Sequence, residues 1–212
     1  MSKQPVMIIV AGPSGGGKSS IFPVEGFPGA RSFNVDNRCA ELNQGSFHGI
    51  SPQIRAKAGA ECEAFIAKCL RKGHSFVTET TLRTTIAIQQ AEKAKHAGFL
   101  TRLIYIATED VEENIRRIQA RSAMEGHSAP PDVIREIYKA SLDNLLMALQ
   151  RFDRSDCYDN SGHIQAATQV AVCNNRVLAL TTNPTPRWLA RLLPNPSALT
   201  VPVEDLRLPP AD

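Results

Sequence analysis

The sequence predicts an α/β protein with a mainly parallel, five-stranded central sheet, helices on both faces, and a C-terminal β-hairpin followed by a short helix. Three observations carry that expectation. The run Val6-Met7-Ile8-Ile9-Val10 is short, rich in β-branched residues and unalternating, as in a strand buried on both faces of a parallel sheet. It leads directly into Gly12-Pro13-Ser14-Gly15-Gly16-Gly17-Lys18-Ser19, which fits the P-loop pattern G-x-x-x-x-G-K-[ST]. Short apolar runs then alternate with helical periodicities as far as Asn160, the alternation that builds a doubly wound sheet.

Taken in order, the first helix starts at Ser19-Ser20 and is cut short by Pro23, Gly26, Pro28 and Gly29. Ser32 to Val35 reads as a second strand ending at Asp36, with a helical turn over Asn37 to Leu42. Gln53 to Lys72 repeats Ile54, Ala58, Phe65 and Cys69 at helical spacing and stops at Gly73. Ser75 to Thr78 is a third strand that delivers Glu79-Thr80-Thr81 at its end. A helix from Thr84 to Ala97 precedes a fourth strand, Arg102 to Ala107. Thr108 is placed to cap the next helix, whose first turn is acidic (Glu109, Asp110, Glu112, Glu113) and whose last turns are basic (Arg116, Arg117, Arg121), matching the helix dipole. Gly126, Pro130 and Pro131 interrupt the pattern, so residues 116–131 form a candidate lid. Asp132 to Arg151 is an amphipathic helix with Ile134, Tyr138, Leu142, Leu145 and Leu149 on one stripe. Asp156 to Tyr158 is the fifth strand, and Gln169–Cys173 and Arg176–Leu180 flank a two-residue turn at Asn174-Asn175. Thr185-Pro186 starts the last helix, carrying Trp188. The final 30 residues hold 7 of the 14 prolines, so residues 1–193 read as one domain and 194–212 as an extended or disordered Pro-rich tail.

The chemistry of the loop follows from its residue types. Glycines 12, 15, 16 and 17 let backbone N–H groups curl around an anion, and the helix opened by Ser19 and Ser20 points its positive end at the same place. With Pro13 and Ser14 between them, these residues are the candidate site for the phosphates of ATP or another nucleoside triphosphate. Lys18 would reach the β- and γ-phosphates and the Ser19 hydroxyl would ligate Mg²⁺.

Totals exclude several other classes. The net charge of +3 makes no general case for binding nucleic acid or membrane surfaces. Lys3 precedes no apolar leader and no run reaches the length of a membrane span, which predicts a cytoplasmic protein. The five cysteines show no metal-type spacing. The hydrophobic run ending in Asp-Glu of motor-type and transporter-type ATPases, the L-S-G-G-Q of transporter ATPases and the N/T-K-x-D of GTPases are missing. A small kinase needs less: a carboxylate for the acceptor's proton, groups that place the acceptor, and arginines on the transferring phosphoryl group.

Each has a candidate. Asp36 either takes up a proton beside the P-loop or caps the turn at Asn37; its strand-end position favours the base. Glu79 ends an apolar strand, so it either contacts substrate or a Mg²⁺-bound water, or pairs with an arginine. Thr80 and Thr81 offer hydroxyls for the acceptor. Arg117 and Arg121 share a helix face; they are either phosphate-facing lid arginines or a solvated basic helix end, and their position before the break favours the lid.

At these residues the sequence resembles the zeta toxin-like P-loop kinases. The match runs from the P-loop through Phe33-Asn34-Val35-Asp36, Thr78-Glu79-Thr80-Thr81-Leu82, Asn114 to Arg121, Gly126-His127-Ser128-Ala129-Pro130, Tyr138 to Leu145 and Tyr158-Asp159-Asn160-Ser161. The resemblance implies a three-layer P-loop kinase fold, ATP with Mg²⁺, Asp36 as base, Glu79 and Thr80 placing the acceptor, and Arg121 with Arg117 in the lid. It further implies phosphorylation of a sugar hydroxyl in a nucleotide sugar such as UDP-N-acetylglucosamine, and an antitoxin protein as a partner. Two departures stand out. Glu125 replaces a glycine before Gly126-His127, where His127 reads as ordering the loop, and Ile137 replaces an arginine before Tyr138, leaving Arg135 nearby. The alternatives are an ATP-binding switch that transfers little, motivated by Ile137, and a kinase with a protein or nucleic-acid acceptor.

Overall fold

The computed structural model describes residues 4–125, 129–162, 166–195 and 198–206. In chain order it comprises β1 (Val6–Ala11), α1 (Lys18–Ile21), β2 (Arg31–Phe33), α2 (Val35–Leu42), α3 (Pro52–Lys72), β3 (Phe76–Thr80), α4 (Ile86–His96) and β4 (Leu100–Ala107). There follow α5 (Val111–Glu125), α6 (Pro131–Arg151), β5 (Arg154–Asp159), β6 (Thr168–Asn174), β7 (Val177–Leu180), α7 (Arg187–Ala190) and β8 (Thr200–Pro202). All eight strands join one sheet in the order β2-β3-β1-β4-β5-β6-β7-β8. The first five are parallel, as expected, and the hairpin extends the same sheet by antiparallel pairing to β5.

Local chemistry sets the element ends. Ser51 caps α3 through Ile54 N–H at 3.3 Å, and Pro52 occupies the first turn, where its missing N–H costs nothing. The helix stops in a Schellman pair, Gly73 N–H to Leu70 and His74 N–H to Cys69, around a left-handed Gly73. Three expectations shift by a residue or two. The second strand ends at Phe33, and Asn34 caps α2: its Oδ1 accepts from the Asp36 and Asn37 N–H groups, so Asp36 lies in the first turn of α2 instead of at the strand end. The N–H of Glu112 is taken by Asp110 Oδ1 at 3.0 Å, so Asp110 caps α5 instead of Thr108. The hairpin turns at Asn175-Arg176, both at positive φ as a two-residue I′ turn requires, one residue beyond Asn174-Asn175.

The helices lie unevenly on the two faces. Met7, Ile9, Leu103 and Tyr105 point into a large core with Ala91 and Ala94 of α4, Leu145 and Leu149 of α6, and Trp188 and Leu189 of α7. Val10, Val77, Ile104 and Ile106 point the other way, into a smaller cluster with Phe22, Val24, Phe27 and Ala30 from the stretch between α1 and β2. The expected layering is therefore thick on one side and thin on the other, because the Pro/Gly-punctuated stretch after α1 leaves no length for a covering helix. The Pro-rich tail also departs from expectation over residues 200–206. β8 pairs with β7, and Val201, Val203 and Leu206 are buried, so the ordered unit runs past residue 193. Among the described residues, no helix is long and apolar enough to cross a membrane. His127 and residues 207–212 lie outside the described residues.

Candidate active site

Parallel register brings the candidate residues to one edge. Ala11 pairs with Thr80 on one side and Tyr105 on the other, and Ala107 with Asp159, so the loops after β1, β3, β4 and β5 meet there. Ligands bind at this carboxyl edge in open α/β sheets.

The P-loop is held from several directions. Gly16 N–H closes a turn on the Pro13 carbonyl at 3.2 Å, and a left-handed Gly17 starts α1. A side chain at Gly15 would come within 2.7 Å of the Asn114 carbonyl, and one at Gly17 would overlap the Asn160 amide. Both positions also have positive φ, so glycine is required by space as well as by conformation. Asn114 Nδ2 donates to the Ser14 carbonyl at 2.6 Å, and Asn160 Nδ2 to the Gly16 carbonyl at 2.9 Å. Composition did not single out these two asparagines; Asn160 was legible only as a strand-end residue and Asn114 only as part of a longer matching stretch.

Lys18 is buried, and its Nζ donates to the Gly12 and Pro13 carbonyls at 2.9 and 3.1 Å. Glu79 Oε1 lies 3.8 Å from Nζ, close enough for ion pairing but too far for a hydrogen bond. Burial holds the Lys18 pKa below its ordinary value, opposed by the charges of Glu79 and Asp36 and reinforced by Arg121. Burial likewise raises the Glu79 carboxyl, opposed by Lys18 and Arg121 and reinforced by Asp36. The charges of Asp36 on α2 and Arg121 on α5 thus both act on the Lys18–Glu79 pair from α1 and β3.

Glu79 Oε2 is buried and has no hydrogen-bond partner among the described residues. Beside it lies a cavity of about 200 Å³ lined by Val35, Cys62, Glu63, Thr80 and Gln90 among others. Val35 lines this cavity, and the next residue, Asp36, is exposed in the first turn of α2. The Thr80 hydroxyl accepts from Leu82 N–H at 3.1 Å, which shapes the turn where Leu82 takes positive φ. Thr81 is half-buried next to it. Ser19 and Ser20 are exposed at the start of α1.

The arginines divide. Arg121 is exposed and its charge reaches both Lys18 and Glu79. Arg117, expected beside it in the lid, is committed elsewhere: its Nη2 donates to Glu113 Oε1 at 2.6 Å and to the Asn160 and Gly162 carbonyls at 2.7 and 2.9 Å. Those carbonyls and the carboxylate form a ready-made cation socket, which the helix spacing alone could not reveal. Arg135 pairs with Glu112 and Asp132 on the outer face of α6, and Ile137 is half-buried.

Behind the site, Asp159 Oδ1 accepts from Trp188 Nε1 at 2.8 Å and from the Ser161 hydroxyl at 3.0 Å. Glu109 N–H donates to Ser161, and the Glu109 carboxylate accepts the Arg187 N–H. Helix α7 therefore braces the loop that carries Asn160.

No family model matches the chain. A Haemophilus influenzae protein, described as uncharacterized, is 30% identical over 139 residues, covering 62% of this chain and 91% of its own. Among solved structures, PezT, the zeta toxin of the PezAT chromosomal toxin-antitoxin system of Streptococcus pneumoniae, matches with a TM-score of 0.62 at 23% identity, over 90% of this chain and 79% of its own. The AvrRxo1-ORF1:AvrRxo1-ORF2 complex with ATP matches with a TM-score of 0.63 at 17% identity, over 81% of this chain and 59% of that one. At these identities the likeness is one of fold, and it agrees with the motif order read from the sequence. The chain belongs to one family with the Haemophilus influenzae protein, and its fold is the P-loop kinase fold found in the zeta toxin-like kinases.

Proposed function

We propose that the chain is an ATP-dependent kinase that transfers the γ-phosphate to a hydroxyl of a sugar or nucleotide sugar. One observation carries the reading: Lys18 Nζ, bonded to two P-loop carbonyls, lies 3.8 Å from Glu79 Oε1 beside a cavity of about 200 Å³, with the charges of Asp36 and Arg121 acting on both. A cation, two carboxylates and an exposed arginine at a phosphate-binding loop are what phosphoryl transfer to an alcohol needs. The fold likeness to a structure holding ATP supports ATP as the donor.

In this reading the N–H groups of Gly15, Gly17 and Lys18 receive the phosphates and Lys18 turns from its carbonyl partners toward them. Asp36 takes up the acceptor's proton, while Glu79, Thr80 and Thr81 position the acceptor in the cavity. Arg121 offsets charge on the transferring group. The exposed Ser19 hydroxyl fits a Mg²⁺ ligand, and a bound Mg²⁺ would supply positive charge to the phosphate oxygens. Likeness to a toxin-antitoxin protein also motivates a protein partner that restrains the enzyme.

The test is phosphate transfer from ATP by wild type and Asp36→Asn across a panel of nucleotide sugars, with ATP affinity measured alongside. Transfer by wild type and a loss of about 10²-fold or more in the variant, at unchanged ATP affinity, supports the reading. Equal transfer by both removes Asp36 as base. A second reading, an ATP-binding protein that transfers little, is favoured by Ile137 together with the engagement of Arg117 and Arg135 away from the phosphates. No transfer by either protein to any acceptor would select it.

A further inference from the structure

We infer that Asn114 and Asn160 are positioning residues that set the P-loop for phosphate, by turning two of its peptide groups before any ligand arrives. The inference rests on the reading of the loop as a triphosphate site. A trans peptide fixes its C=O and N–H on opposite sides. Ser14 C=O shares a peptide with Gly15 N–H, and Gly16 C=O with Gly17 N–H. Asn114 and Asn160 hold the two carbonyls outward, at 2.6 and 2.9 Å, which leaves both N–H groups facing the opposite side, into the concavity of the loop. Without these donors, glycine-rich backbone is free to flip such peptides, and the anion would have to order them itself.

Each asparagine is itself held, one through its amide and one through its backbone. The Thr108 hydroxyl donates to Asn114 Oδ1, which obliges Nδ2 to point at Ser14. Asn114 is fully buried, so its amide has no water to turn toward. Asn160 is fixed through its backbone: its N–H donates to Ala107 O at 2.8 Å and its carbonyl receives Arg117. Arg117 is held in turn by Glu113, which also accepts Gly162 N–H at 3.0 Å. Two separate braces, one from the start of α5 and one from the loop after β5, therefore converge on alternate peptides of one loop. A pair of asparagines used only to fill space would not need both Nδ2 groups seated on loop carbonyls.

The experiment uses the full chain and two probes, ATP and inorganic tripolyphosphate, each titrated with Mg²⁺ by calorimetry. Asn114→Ala, Asn160→Ala and Thr108→Val should each weaken both probes by roughly fivefold to tenfold, the usual worth of one oriented hydrogen bond to backbone. Asn114→Leu and Asn160→Leu restore the volume without the donor, and should be as weak as the alanine variants. Leucine variants that bind like wild type would overturn the inference, since volume alone would then suffice. So would an Asn114→Ala/Asn160→Ala double variant that keeps wild-type affinity. Thermal melts without ligand confirm that each variant is folded; should Asn114→Ala unfold, Thr108→Val tests the same brace without touching the loop. Tight tripolyphosphate binding with no transfer to any acceptor would instead sink the kinase reading and leave the positioning result standing.

Discussion

Glu79 and Lys18 face each other at 3.8 Å beside the P-loop, Lys18 buried and Glu79 largely so, each shifted by burial toward its neutral form. The pair is imperfect. Lys18 satisfies itself on two loop carbonyls, and the second carboxylate oxygen of Glu79 has no partner. An incompletely satisfied buried pair is unfavourable for stability alone and is typical of a site that waits for a ligand.

Lys18→Ala should weaken ATP binding by about tenfold to a hundredfold, the range for a charge-assisted hydrogen bond to phosphate. Equilibrium dialysis with ATP and Mg²⁺ would measure it, and undiminished affinity would contradict the assignment of the loop.

The pH dependence of stability should carry the mark of Glu79. Its folded-state pKa is raised above the ordinary 4.5, so the native state binds its proton more tightly than the unfolded chain does. The stabilisation is present at low pH and is lost as pH rises through the raised value. Glu79→Gln removes that loss. Its melting temperature relative to wild type should therefore climb as pH rises above the ordinary 4.5 and level off once the raised carboxyl has ionised. A difference that stays flat would show that Glu79 is not raised.

Arg117 and Arg121 should separate cleanly. Arg117→Ala strips the Asn160 and Gly162 carbonyls of a charged donor and leaves the buried Glu113 carboxylate unpaired. A loss of about 1–3 kcal/mol, or several degrees in melting temperature, is expected. Arg121→Ala, on an exposed position, should melt like wild type and lower kcat by tenfold or more. Melting curves and transfer rates that move together in both variants would refute the division.

Ile137→Arg restores the cation that the resemblance places just before Tyr138 on α6. Were a missing arginine limiting the rate, this variant should transfer phosphate several-fold faster than wild type at the same ATP affinity. An unchanged or lower kcat would show that Arg121 serves alone.

How much of this was legible in the sequence depends on the range of the forces involved. β1 and the P-loop are specified by contiguous residues whose composition has few alternatives. Glu79 stood out because a carboxylate ending an apolar strand must face something. Element ends were less legible, since Asn34 and Asp110 each compete with a neighbour two residues away for the same cap. β8 was hidden, because three residues that include a proline pair only where β7 already offers an edge. The role of Arg117 was not readable at all. Its partners lie 43 and 45 residues further on, in a loop whose carbonyls converge only once β5 has paired.

Trp188 is the only tryptophan in the chain, and its indole N–H is bonded to Asp159, the residue before Asn160. The ring is almost fully buried, so its emission reports the polarity and geometry of that one contact. Asn160 in turn holds the Gly16 carbonyl, so a displacement of the P-loop should register in Trp188 emission, readable without label, tag or coupled assay.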